Sequence, residues 1–145
     1  MVLAGCSAPT PGTFVPRDVD TALTNAIRRG PGALVSLDSV GPADWRFLFV
    51  FGPGTTVDAI RRCVGESHGF ETFALDRRDD VDVLIFEGPK GDLSSIEVSR
   101  AAAPFGEDAL TRRYPRGGAH FAVRAGRTAP HELAAADTVN APRCI

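Results

Sequence analysis

Hydrophobic and polar positions follow two different periods along this chain, and the switches between them mark out its elements. In residues 18–29, Val19, Ala22, Leu23, Ala26 and Ile27 recur at i, i+3, i+4, i+7 and i+8, the stripe of an amphipathic helix. Asp18 suits its cap, Arg28 and Arg29 suit its negative C-terminal end, and Gly30-Pro31 stops it. Residues 33–38 read as a short apolar strand, and Gly41-Pro42-Ala43-Asp44 turns the chain. The alternation is strongest from Trp45 onward: Trp45, Phe47, Phe49 and Phe51 share one face, and Leu48 and Val50 share the other. A strand apolar on both faces is predicted to be central. Gly52-Pro53-Gly54 breaks it. Thr55 or Thr56 then caps a second helix that runs to about Val64 and ends at Gly65. Val57, Ile60 and Val64 point inward from that helix, Cys63 sits at the edge of the stripe, and Arg61 and Arg62 face water.

Residues 66–80 are less regular and allow a strand at 71–75. Residues 81–87 and 93–100 read as two strands of a hairpin, turned by Gly88-Pro89-Lys90-Gly91-Asp92, with Ile96 and Val98 inward. Residues 101–118 form a long stretch rich in Pro, Gly and Arg. Its length invites a functional reading, and a short helix at 107–113 is the plainer account. Residues 120–124 are another strand, and Ala125-Gly126 turns into residues 127–133, where Pro130 marks an edge. Short late connections favour antiparallel pairing. The expected fold is α+β, one mostly antiparallel sheet of five to six strands with two helices packed on one face.

Composition narrows the picture. A length of 145 residues fits one domain, and 43% hydrophobic residues suffice for a core. A net charge of -2 gives no basic field for a phosphate backbone, so nucleic acid is not expected as a partner. The longest wholly apolar run, Phe47 to Phe51, is far too short to span a bilayer. Membrane attachment would therefore need a lipid or a partner.

Leu3-Ala4-Gly5-Cys6 resembles the bacterial lipobox. The resemblance implies that the Cys6 thiol takes a diacylglycerol and that a peptidase cuts before Cys6, which becomes the first residue. A signal peptide has a charged and then an apolar region. Only five residues precede Cys6, so either the start lies upstream of Met1 or the N-terminus has been trimmed. Ser7-Ala8-Pro9-Thr10-Pro11-Gly12-Thr13 has the composition of a tether. The chain accordingly divides into a signal remnant (1–6), a tether (7–16) and one globular domain (17–145). In a host with two membranes, Ser7 stands where an inner-membrane retention signal would have aspartate, which implies an outer-membrane anchor with the domain in the periplasm. With Cys6 lipidated, Cys63 and Cys144 remain, an even number that in an oxidising compartment favours one disulfide over two free thiols.

Trp45, the strand through Phe51, then Gly52, Pro53, Thr55 and the closing Val64-Gly65 resemble a segment of small uncharacterised bacterial lipoproteins. That family has Trp-Asp, a hydrophobic strand, Gly-Pro-Tyr-Thr and a helix ending Leu-Gly. Arg46 replaces the acid and Gly54 the tyrosine. The resemblance spans some twenty residues. It implies a secreted or lipid-anchored domain and supplies no catalytic residues.

Patterns that would carry chemistry are sparse. The Gly52–Thr56 turn sits where a phosphate loop would, but it lacks the lysine and the spacing. His68, His120 and His131 share no ligand spacing, although His120 and Glu97, both on expected strands, could share a face and act on a phosphodiester. Ser94 and Ser95 lack a nucleophile elbow. Asp76, Asp79, Asp80 and Asp82 lack calcium-loop spacing and read as a solvated loop beside Arg77 and Arg78. The aromatic row from Trp45 to Phe51 reads as core before it reads as an apolar pocket. No cofactor or metal is expected. Three functions follow in order: a non-catalytic lipoprotein that binds an envelope protein; an inhibitor or immunity-type protein that inserts residues 101–118 into a secreted enzyme; and a small hydrolase using His120 and Glu97.

Overall fold

The computed structural model describes residues 16–66, 69–127 and 129–144. Cys6, the tether before residue 16 and His68 lie outside the described residues. Among the described residues, two α-helices and seven strands follow in chain order: α1 (Pro16–Arg29), β1 (Leu34–Ser36), β2 (Phe47–Phe51), α2 (Val57–Val64), β3 (Val81–Glu87), β4 (Leu93–Ser99), β5 (Arg113–Pro115), β6 (His120–Ala125) and β7 (His131–Ala135). The class is α+β, mostly sheet, and every named strand pair is antiparallel.

The expected single sheet is divided in two. One sheet has the order β4-β3-β2-β5, and the other has the order β1-β6-β7. Alternation on the larger sheet explains the layering. Leu48, Val50, Leu84, Phe86, Ile96 and Val98 project from one face into a core shared with Phe121, Val123 and Leu133 of the smaller sheet and with Val19, Leu23 and Ala26 of α1. Phe49, Phe51, Val83 and Ile85 project from the opposite face onto Ile60 of α2, with Phe70 and Leu75 beside it. The two helices therefore join cores on opposite faces of the larger sheet rather than one, α2 against β2 and α1 against β1 and β7 of the smaller sheet. Each face of that sheet is hydrophobic enough to need its own cover. As expected for a strand apolar on both sides, β2 is central, flanked by β3 and β5.

Trp45 leaves the face assigned to it. It precedes β2 and follows Asp44, whose φ of 62° turns the chain, so the strand alternation does not reach it. Its ring enters the core between the sheets and meets Phe86 edge to face at 5.3 Å. Gly41 makes room for it: a Cβ there would lie 2.9 Å from both rings.

Local chemistry sets the remaining elements. Pro16 opens α1, where a missing N–H is harmless, and Asp18 lies in its first turn. Of the two threonines offered as the cap of α2, Thr56 takes the role, its Oγ1 accepting from the Ala59 N–H at 3.1 Å. The strand allowed at 71–75 is replaced by two 3-10 turns, Phe70–Phe73 and Leu75–Arg77, hinged at Ala74 in the left-handed region. There the Thr72 hydroxyl donates to the Gly69 carbonyl at 2.6 Å, a local bond that competes with extended pairing. The helix considered at 107–113 shrinks to the 3-10 turn Glu107–Ala109. Thr111, at a φ of 55°, then sends its N–H to the Val50 carbonyl and starts β5 on the edge of β2.

Cys63 and Cys144 form a disulfide, with Cα atoms 5.0 Å apart. It joins α2 to the C-terminal segment. That segment runs beside β5: Arg113 N–H donates to the Pro142 carbonyl, and Cys144 N–H donates to the Thr111 carbonyl. The bond thus holds a short covering strand on the edge of the larger sheet.

Candidate binding cleft

Where the two sheets meet, residues 104–106 cross from one to the other. Gly106 N–H donates to the Leu133 carbonyl and Leu133 N–H to the Pro104 carbonyl, so Phe105 lies beside β7 as an added parallel bridge. Its ring packs edge to face on Phe121 at 5.1 Å. Burial of this ring is worth about 3–5 kcal/mol against alanine.

Asp82 anchors this crossing from the other sheet. It faces the core between the sheets and is completely buried. One carboxylate oxygen accepts the Phe105 N–H at 2.9 Å, and both accept from Arg100 Nη1 at 2.7 and 2.9 Å. Burial raises the Asp82 pKa, and the Phe105 N–H and Arg100 oppose that rise. Asp82 is therefore not part of a solvated acidic loop. The other acids of the run, Asp76, Asp79 and Asp80, are exposed as expected, with Asp80 accepting from Arg78 and Asp76 4.0 Å from Arg77. Among the described residues no group of His, Cys, Asp and Glu is placed to hold a metal ion.

Beyond Phe105 opens a cleft of about 730 Å³. Arg100 enters it from the end of β4, Arg124 from β6, Glu132 from β7, Asp108 from the 3-10 turn and Arg143 from the C-terminal segment. The strand register makes one of its ion pairs. Arg124 and Glu132 are directly opposed across β6 and β7, and Arg124 donates to Glu132 through both Nε (3.0 Å) and Nη2 (2.7 Å). The other side of the Arg124 fork meets Asp108 at 2.9 and 3.2 Å. The Glu132 hydrogen bond and the Asp108 charge hold Arg124 more firmly protonated. A Cβ on Gly106 would run into the Glu132 carboxylate, so any larger residue there must displace it. No motif announced this cleft. The opposition of Arg124 and Glu132 is the one signal that a correct hairpin register would have revealed.

The residues singled out as chemistry fall elsewhere. His120 and Glu97 lie on different sheets. Glu97 accepts from Arg78 at 3.0 and 3.2 Å. His120 Nε2 is 2.6 Å from Asp38 Oδ2. The expected shared face is not formed, because β4 and β6 belong to separate sheets. Asp38 also accepts the Gly117 and Ala119 N–H groups, while the Ser36 hydroxyl accepts the Asp38 N–H. Burial raises the Asp38 pKa, but these N–H donors together with His120 and Ser36 outweigh it and leave the carboxyl below its ordinary value. This cluster ties the 116–119 turn to β1. Arg116 completes the tie, donating to the Asp38 carbonyl and standing over the Trp45 ring.

His131 begins β7. Ser94 and Ser95 lie on the hairpin strand β4. The Gly52–Thr56 turn has its amides engaged: Gly54 N–H donates to the Leu75 carbonyl at 2.6 Å, and Thr55 N–H donates to the Gly52 carbonyl. Residues 101–118, considered as an inserting loop, are built into the core through Ala103, Phe105, Ala109 and Tyr114. Tyr114 donates its buried hydroxyl to the Ala109 carbonyl at 2.6 Å. Among the described residues no helix is long and apolar enough to cross a membrane. No protein-family model, curated protein or solved structure significantly matches the chain.

Proposed function

We propose that this chain is a non-catalytic binding protein of the bacterial cell envelope, held at the outer membrane by lipid on Cys6 and facing the periplasm. The observation that carries the reading is the Cys63–Cys144 disulfide. Once Cys6 is assigned to lipid, every remaining cysteine is paired, and structural disulfides persist in oxidising compartments. The Pro-rich residues after Cys6 supply a spacer between membrane and domain. Two or more acyl chains give stable anchoring where one alone is marginal.

Binding, rather than turnover, fits how the charged groups are arranged. The cleft carboxylates Asp108 and Glu132 both accept from Arg124. His120 serves as a structural partner of Asp38. An envelope protein is the partner class this reading implies for the domain surface.

The test is metabolic labelling with radioactive palmitate, in a bacterium carrying the gene with its upstream DNA. Label should enter the protein and follow it into the outer-membrane fraction. Cys6→Ser should abolish the label and release the protein in soluble form. Equal fractionation of the two proteins, without label, overturns the anchor.

A further inference from the structure

We propose that the cleft at the sheet junction is an anion-binding site, taking a small molecule that bears a carboxylate or phosphate group between Arg100 and Arg143. This rests on reading the domain as a binding module but not on the lipid anchor, so a failed palmitate experiment leaves it standing.

The argument starts from Arg100. Its three hydrogen bonds, to both Asp82 oxygens and to the Phe105 carbonyl, all leave from Nη1. The guanidinium is gripped at one nitrogen by a completely buried carboxylate. Its Nε and Nη2 are not among the buried atoms that lack a partner, and the side chain lines the cleft. A guanidinium fixed from behind with an open N–H edge is preorganised for an oxyanion, because little rotamer freedom remains to be lost on binding.

Arg143 is the second element. It also lines the cleft, and its hydrogen bonds reach only neutral oxygens: the Leu110 carbonyl at 3.4 Å and Thr111 Oγ1 at 3.3 Å. Among the described residues no carboxylate lies within ion-pair distance of it. The backbone on both sides is held, by the bridge between Arg112 and Arg143 and by the disulfide at Cys144. The positive group is thus delivered to the cleft by a fixed segment.

Asp82 balances the Arg100 charge from behind the cleft, and the cleft acids themselves are engaged elsewhere. Asp108 and Glu132 are drawn together on Arg124, two carboxylates on one guanidinium. Glu107 meets Arg127 at 3.8 Å, with both side chains almost fully exposed, a pair worth little in water. The cleft carboxylates Asp108 and Glu132 are therefore engaged by Arg124, while Arg100 and Arg143, which line the same cleft, keep unfilled donors. An oxyanion accepts forked N–H donors well, and such charge-assisted bonds are the stronger kind.

The test uses isotope-labelled protein with its disulfide intact, titrated at low salt with inorganic phosphate and separately with succinate. Saturable shifts should centre on the Arg100 and Arg143 side-chain signals and the amides of residues 105–110. Phosphate alone, succinate alone or both producing this pattern supports the site and identifies the preferred oxyanion. Arg143→Ala should weaken binding about tenfold or more. Arg62→Ala, on the exposed side of α2, should leave it unchanged. Arg100→Lys keeps the charge but loses the fork, and should weaken binding while retaining the fold. Shifts spread over all surface arginines, or equal binding by Arg143→Ala, show diffuse ion condensation and overturn the proposal.

Discussion

Asp82 and Arg100 hold one another behind the cleft, the carboxylate fully buried on β3 and the guanidinium reaching it from just past β4 with bonds of 2.7 and 2.9 Å. Removing the carboxylate strands a charge and leaves the Phe105 N–H without its acceptor. Breaking such a pair from one side costs about 3–5 kcal/mol. Asp82→Ala should show this in urea unfolding as a lowered midpoint. Asp82→Asn, which keeps an acceptor for Phe105, should lose less. An Asp82→Ala protein of wild-type stability would remove the clamp from the account of the fold.

Gly106 tests the neighbouring pair. Alanine there drives a methyl into the Glu132 carboxylate and pushes it off Arg124. The expected loss is about 1–3 kcal/mol, typical of overpacking. In the background of Glu132→Ala the same substitution should cost much less, since its obstacle is gone. Equal losses in both backgrounds would place the strain elsewhere.

Asp38 predicts the acid limb of stability. Its ordinary pKa of 3.8 is lowered in the fold, by donors that outweigh the opposing effect of burial. On acidification the unfolded chain therefore takes up this proton first. The contribution of Asp38 is complete above about pH 3.8 and disappears as the pH falls through the lower folded value. Asp38→Asn should be less stable at neutral pH and should show a shallower loss below pH 4. Parallel stability–pH curves for the two proteins would show that Asp38 is not the group responsible.

The disulfide closes a loop with a sequence separation of 81 residues, worth about 4–5 kcal/mol on the chain-entropy model. Reduction should add two protons to the intact mass and lower the melting temperature. Cys63→Ser with Cys144→Ser should melt at the temperature of the reduced protein. It should also bind succinate or phosphate more weakly, since the segment carrying Arg143 loses its staple.

Periodicity located the elements well wherever one pattern ran unbroken. Val81–Glu87 and Leu93–Ser99 emerged as a hairpin, β2 as a central strand, and Ile60 as the inward residue of α2. The pairing of Cys63 with Cys144 was legible once the lipobox resemblance had set Cys6 aside and left an even remainder. The division into two sheets was not, because alternation tells which residues share a face and not which strands share hydrogen bonds. Trp45 was misplaced because the alternation was extended back to it, whereas β2 begins only at Phe47. The cleft was invisible for a related reason. Asp82, Arg100, Arg124 and Arg143 are scattered in sequence, and only the crossing of residues 104–106 between the sheets brings their surroundings together.

The covalent ring closed by Cys63 and Cys144 encloses β3 through β7 and leaves α1, β1 and β2 outside it. Yet β2 lies between β3 and β5, so a strand from outside must insert among strands within, while β1 adds to the edge of β6. Cys144 follows every strand in chain order. During vectorial synthesis, β1 and β2 are therefore present before the ring can close, and native insertion can precede oxidation. Refolding from a fully oxidised, unfolded chain reverses that order, and β2 must then find its slot in a closed macrocycle.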